Sequence, residues 1–295
     1  MPPENTIDKN QGRQILTGFF QSPLGGEKIY YKRSISNATE TSAKHLVIVP
    51  NIGEYHGRHT KLPEYLQKKW GNSTNFTWLD LKGHGLSGGT RGHVDNFEEY
   101  CHDLICLLNK LPASDEYILL GSGVGCLVIL KTLLEFRNQF KLNVVGLVMS
   151  NPAIKMKVEL SSLFLKIPPN QALKKLKIPH RIDGYELTND TLAAEEFNHD
   201  PLVNHTISAN LYWEIMRVSR EVRLSSYFID YPTLFVVGEE DSYFDHEYTN
   251  LFRKGMGSDQ KSYKSYKKLK NDLFNDFERD KVFNDIYNWI NVNLK

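Results

Sequence analysis

The chain has 295 residues, 40% of them hydrophobic and 24% charged, which excludes a disordered, collagenous or coiled-coil protein and suits one large domain with an insertion. Lysine plus arginine number 36 against 35 aspartates plus glutamates, so no overall positive excess points to nucleic acid. The three cysteines, Cys101, Cys106 and Cys126, form no C-x-x-C pair and have no flanking histidine at ligand spacing, so neither a disulfide framework nor a zinc site is indicated, and no cofactor is expected.

Residues 1–17 are expected to form an N-terminal tail. This opening segment lacks the charged-then-apolar layout of a signal peptide, and no apolar run approaches the ~18 residues of a membrane span, so a cytoplasmic location is expected. From Gly18 to Ser34, aromatic and β-branched residues flank Gly25-Gly26, the pattern of a hairpin. The short apolar runs His45–Pro50, Thr74–Asp80, Tyr117–Leu120, Val144–Ser150 and Thr233–Val237 suit strands buried on both faces of a parallel sheet. Between them, Leu62, Tyr65 and Leu66 form one helical stripe, and Phe97, Tyr100, Cys101, Leu104, Ile105 and Leu108 another. The alternation predicts an α/β fold with a mainly parallel, doubly wound sheet. Residues 151–231 break the rhythm with proline-punctuated amphipathic pieces and are read as a helical cap inserted into a core of residues 18–150 and 232–295.

The run Gly121-Ser122-Gly123-Val124-Gly125 follows a buried strand, where a nucleophile elbow G-x-S-x-G would stand. Gly121 and Gly125 occupy the outer glycine positions, and Gly123 the place of the nucleophile. The segment Asn51-Ile52-Gly53-Glu54-Tyr55-His56-Gly57-Arg58 keeps G-E-x-x-G-R, and Asp80 to Gly92 reads D-x-x-G-H-G-x-S-x-G-x-R-G. With Leu187-Thr188-Asn189-Asp190 and Asp200-Pro201-Leu202-Val203, these motifs resemble the monoacylglycerol lipase and lysophospholipase (serine aminopeptidase-like) branch of the α/β-hydrolases, from about Gly18 to the C-terminus.

The resemblance implies an α/β-hydrolase fold, and an ancestral hydrolysis of monoacylglycerol or lysophospholipid esters through an acyl-enzyme. It places Asp241, in Gly238-Glu239-Glu240-Asp241, on the triad acid and Asn271 on the general base. A carboxamide takes up no proton near neutral pH. Backbone N–H groups of Ile52 and Val124 are expected to form the oxyanion hole, and the leading His-Gly of the family's first motif has become Pro50-Asn51. Ser122 is the alternative nucleophile. His84 with Ser87 resembles a dyad, but this loop is mainly structural in the family; His56, His59 and His93 read as loop residues near the mouth, and Cys126 as a packing residue.

Lys155 to Arg181 carries seven basic residues against one acidic, Glu159, a local balance of +6, interleaved with apolar residues. This fits an interfacial helix on an anionic lipid surface as well as a lid with a solvated basic face, so peripheral membrane contact through the cap is one expectation. The function expected is a pseudo-hydrolase that retains an acyl-lipid pocket. An active ester hydrolase using Ser122 and a protein-interaction scaffold are the alternatives. Gly123→Ser with Asn271→His is expected to restore some hydrolysis if the rest of the site is intact.

Overall fold

Strands form where aromatic and β-branched residues cluster: β1 (Asn5–Asp8), β2 (Arg13–Gln21), β3 (Lys28–Ser36), β4 (Lys44–Val49), β5 (Thr74–Leu79), β6 (Glu116–Ser122), β7 (Asn143–Ser150), β8 (Thr233–Gly238) and β9 (Lys261–Tyr266). The computed structural model describes residues 5–8, 12–37, 44–71, 74–157, 169–178 and 182–294. The described strands make one sheet in the order β1-β2-β3-β5-β4-β6-β7-β8-β9. Pairing is antiparallel through β1, β2, β3 and β5, and parallel from β5 to β9.

Helices cover both faces. They are α1 (Lys61–Trp70), α2 (Glu98–Leu108), α3 (Val124–Glu135), α4 (Gly184–Leu187), α5 (Thr191–His199), α6 (Ala209–Leu224), α7 (His246–Gly255) and α8 (Arg279–Asn293). Val47, Val49, Leu119 and Leu147 pack with residues of α2, α3 and α6, while Leu46, Ile48, Leu120 and Val148 face Leu66 of α1 and Phe283 and Ile290 of α8. Every residue of β5 and β8 is buried, which is why these strands read as continuous apolar runs.

The sheet begins ahead of Gly18. Residues 5–8 and 13–17 are paired in β1 and β2, so the tail expected over residues 1–17 is in part an antiparallel sheet margin. The edge strand β9, Lys-Ser-Tyr-Lys-Ser-Tyr, carries too many lysines to read as buried, yet it pairs with β8 from Thr233↔Lys261 to Gly238↔Tyr266. Lysines on an edge strand discourage further pairing.

Between β7 and β8 the described chain holds α4, α5 and α6. Ser208, the N-cap of α6, accepts from Leu211 N–H, and its hydroxyl lies 2.8 Å from His93 Nδ1, tying this segment to the core. Tyr55 donates to Asp200 at 2.8 Å, and Arg91 to the Leu202 carbonyl at 3.0 Å. Residues 158–168 and 179–181, which include much of the basic stretch, lie outside the described residues. Of its described lysines, Lys157 donates to the Asp241 carbonyl at 2.7 Å, Lys177 to the Arg91 carbonyl, and Lys155 sits 3.9 Å from the Tyr248 ring centroid. These three ammonium groups have neutral partners within the chain and keep their charge, and Lys157 and Lys177 are exposed. Among the described residues no helix is long and apolar enough to cross a membrane.

Candidate active site

The turn from β6 into α3 is sharp because its glycines permit contacts a side chain would forbid. A Cβ on Gly125 would lie 2.2 Å from the Val49 carbonyl oxygen, and one on Gly121 2.7 Å from Cys126 Cα. Gly123, the N-cap of α3, has φ 52° and ψ −116°, a backbone in which an L side chain is strained. The elbow conformation is therefore present without a nucleophile in it.

Asn51 fills the space. A Cβ on Gly123 would stand 2.2 Å from Asn51 Oδ1, so the carboxamide lies where a side chain at position 123 would begin. Asn51 Oδ1 accepts from Ile52 N–H and from Val124 N–H, both at 2.9 Å. Asn51 Nδ2 faces Asn271 Oδ1 at 3.5 Å, and Asn271 Nδ2 donates to Asp241 Oδ2 at 2.8 Å. Amide donors at one end and a carboxylate acceptor at the other orient both carboxamides, since each link then pairs a donor with an acceptor. Asp241 Oδ1 in turn accepts from Tyr243 N–H at 2.8 Å and Phe244 N–H at 3.2 Å.

Two further devices hold the Asn271 loop. Asn151 has a positive φ of 40°, and its Nδ2 donates to the Asn271 carbonyl at 2.7 Å while its Oδ1 accepts from Gly238 N–H at 2.8 Å. Arg58, from G-E-x-x-G-R, pairs with buried Asp272 at 3.0 Å, and Glu54 lies 2.7 Å from His59 Nε2. Burial pushes the Asp272 carboxyl up and Glu54's charge adds to it, against the pull of Arg58. Burial also works against ionised Glu54, but the hydrogen bond and charge of His59, with the charge of Arg58, together outweigh it and hold that carboxyl below its ordinary value.

The structure thus brings Gly123, Ile52, Val124, Asn271 and Asp241 together and leaves the other candidates elsewhere. By strand alternation Ser122 shares the face of Ile118 and Leu120, opposite α3, and it does not line the adjoining cavity. Cys126 is buried with its thiol 3.6 Å from the Ser150 carbonyl, and burial pushes that thiol up. His84 Nδ1 lies 3.0 Å from the Lys82 carbonyl, and burial lowers its pKa to about 4, so the ring is neutral. Ser87 instead donates to the Asp80 carbonyl at 2.6 Å and accepts from Tyr30 N–H. His56 pairs with Asp80 at 3.0 Å.

Asn51 and Asn151 are the site residues that sequence reasoning missed. The signal for Asn51 was a coincidence of gain and loss: a side chain appears where the family motif has glycine, and one disappears at position 123. Two expectations change as a result. The N–H groups of Ile52 and Val124, expected as oxyanion donors, are both bonded to Asn51 Oδ1, and the two-residue reversal at 123 and 271 leaves Asn51 in collision with a new side chain.

Next to the network lies an apolar cavity of about 630 Å³, its open mouth included. Asn51, Ile52 and Val124 form its floor, and Ile178, Ile182, Leu187, Ile207 and Ile215 from the segment between β7 and β8 contribute walls. No histidine, lysine or arginine is among the described residues lining it.

The family model described as "Serine aminopeptidase, S33" matches residues 40–278. The chain belongs to the serine aminopeptidase S33 family. Among curated relatives of this S33 member, "Phospholipase YtpA" of Bacillus subtilis (strain 168) is 24% identical over 243 residues, covering 81% of this chain and 91% of that protein. "Monoglyceride lipase" of Rattus norvegicus is 24% identical over 258 residues, 84% and 82% of the two chains. Of solved structures, the Paleococcus ferrophilus monoacylglycerol lipase aligns with TM-score 0.73 at 21% identity, covering 94% of this chain and 98% of its own. A soluble variant of Saccharomyces cerevisiae monoglyceride lipase, in complex with a substrate analogue, aligns with TM-score 0.76 at 18% identity, covering 93% and 94%. The fold is that of the α/β-hydrolases.

In this S33 chain Asp241 has no imidazolium to face. Burial pushes its pKa up to about 6, and the bonds from Tyr243 N–H, Asn271 and Phe244 N–H only partly oppose the rise. Because the folded value exceeds the unfolded one, the native state holds an extra proton between about pH 4 and 6, and stability from this group falls as pH rises through that window. The wild type is expected to lose up to roughly 3 kcal/mol relative to Asp241→Asn between those limits. Urea unfolding of both proteins at pH 4, 5, 6 and 7 checks this; parallel curves would contradict it.

Proposed function

We propose that this protein is a pseudo-hydrolase of the S33 family that binds a single acyl chain and does not cleave it. Residues 151–231 act as a lid over the core, and the cavity beneath receives the chain. One observation carries the reading: Asn51 Oδ1 bonds both Ile52 N–H and Val124 N–H while occupying the space beside Gly123. The two donors a tetrahedral intermediate would need are satisfied before any substrate arrives. Neither Gly123 nor Asn271 supplies an attacking oxygen or a basic nitrogen. Monoglyceride lipase and phospholipase relatives support an acyl lipid as the class of ligand. An open cavity favours this reading over a scaffold with a filled interior.

The test pairs fluorophosphonate labelling and p-nitrophenyl ester hydrolysis with mass spectrometry of lipid released from denatured protein. No labelling, no turnover above buffer and a co-purifying single-chain lipid are expected. Labelling that Ser122→Ala abolishes would establish an active enzyme instead.

A further inference from the structure

Resting on the lipid-cavity reading above, we propose that Asn51 reverses the orientation in which this site holds a chain: the uncharged end of a single-chain lipid lies against the Asn51 floor, and its polar head stays at the mouth. A hydrolase must bring an ester carbonyl to its oxyanion donors. Here both donors are 2.9 Å from Asn51 Oδ1, so an incoming carbonyl or carboxylate finds neither N–H available.

Asn51 does not yield its place cheaply. Swinging it away would leave two N–H groups without partners and would break its contact with Asn271, which is itself bonded to Asp241 at 2.8 Å. Among the described residues the walls include no lysine, arginine or histidine that would pair with an anion in exchange. Behind Asn271, Asp241 is buried and carries negative charge above about pH 6, so its charge behind the floor repels a carboxylate. An alkyl terminus suffers none of these costs, and Ile52, Val124 and Phe244 are among the apolar residues it can meet. The cavity's opening to solvent leaves the head hydrated.

Isothermal titration calorimetry at pH 8, below micellar concentrations, separates the orientations with three ten-carbon ligands. Decanol and decanoate each have an uncharged end to place at the floor, and their affinities are expected to agree within about tenfold. Decanedioate is charged at both ends, so one charge must be buried, and it is expected to bind at least about a hundredfold more weakly than decanoate. In Asn51→Gly, or Asn51→Ala if glycine does not fold, the freed donors should improve decanedioate binding by at least about tenfold, and by more than they change decanol binding. Equal binding of decanoate and decanedioate by the wild type would overturn the orientation, as would binding of decanol without decanoate. If neither decanol nor decanoate binds, the lipid-cavity reading fails and this proposal with it.

Discussion

Ester hydrolysis is expected in the triple variant Asn51→Gly/Gly123→Ser/Asn271→His and not in Gly123→Ser/Asn271→His. In the two-residue variant the new Cβ at position 123 falls 2.2 Å from Asn51 Oδ1, closer than any stable contact. The positive-φ backbone at Gly123 adds ~1–3 kcal/mol of strain for a side chain, and displacing Asn51 leaves buried N–H groups unpaired at ~1–3 kcal/mol each. The two-residue variant is therefore expected to melt below wild type and to turn over little.

Asn51→Gly removes the obstruction and frees Ile52 N–H and Val124 N–H in one step. A histidine at 271 would then have Asp241 beside it, where Asn271 Nδ2 now stands 2.8 Å from the carboxylate. Since each oxyanion donor is worth ~10²–10³ in rate, kcat/KM of the triple variant should exceed that of the double by at least about a hundredfold. Fluorophosphonate labelling that depends on the Gly123→Ser substitution, mapped by peptide mass spectrometry to position 123, gives an independent readout. Equal rates in the two variants, both folded by circular dichroism, would mean that Asn51 does not block the site.

Arg58→Ala is expected to lower the unfolding free energy by about 3–5 kcal/mol, because it leaves Asp272 charged and buried without its partner. The paired side chains are only 6% and 3% exposed, so water cannot take over the lost bond. The guanidinium also lies 4.9 Å from the ring centroid of Phe197 in α5, and Asp272 N–H donates to the Leu187 carbonyl at 2.7 Å. Arg58 thus joins the segment between β7 and β8 to the loop carrying Asn271. Arg58→Ala/Asp272→Asn should recover part of the loss, since it removes the uncompensated charge along with the cation. Denaturant unfolding checks both; a loss under about 1 kcal/mol for Arg58→Ala would show that the pair contributes little.

Much of the architecture was legible because its signals are local. Leu46 to Val49 and Thr233 to Val237 are apolar almost throughout, which suits strands covered on both faces, and Gly121 and Gly125 mark a turn that only small residues allow. The strand β9 was not legible, since an edge strand with a half-buried Lys261 and an exposed Lys264 shows neither a buried run nor clean alternation. The residue types at the expected triad positions were legible too. Gly123 and Asn271 could be read from flanking motifs, and their residue types alone exclude attack and proton transfer.

What those losses led to was decided only in three dimensions. Asn51 and Val124 are 73 positions apart, and Asn51 and Asn271 are 220 apart, so no pattern along the chain says that they touch. In the sequence, neutral composition and the motifs around Gly123 and Asn271 describe a hydrolase fold with glycine and asparagine at two expected triad positions. The folded chain adds that the space beside Gly123 is filled from within, because β4 and α3 meet at Gly125 so closely that the Asn51 side chain, just past the end of β4, lands on Ile52 N–H and Val124 N–H. Residue types determine which chemistry a position can supply, whereas contact between distant segments determines what occupies the space around it.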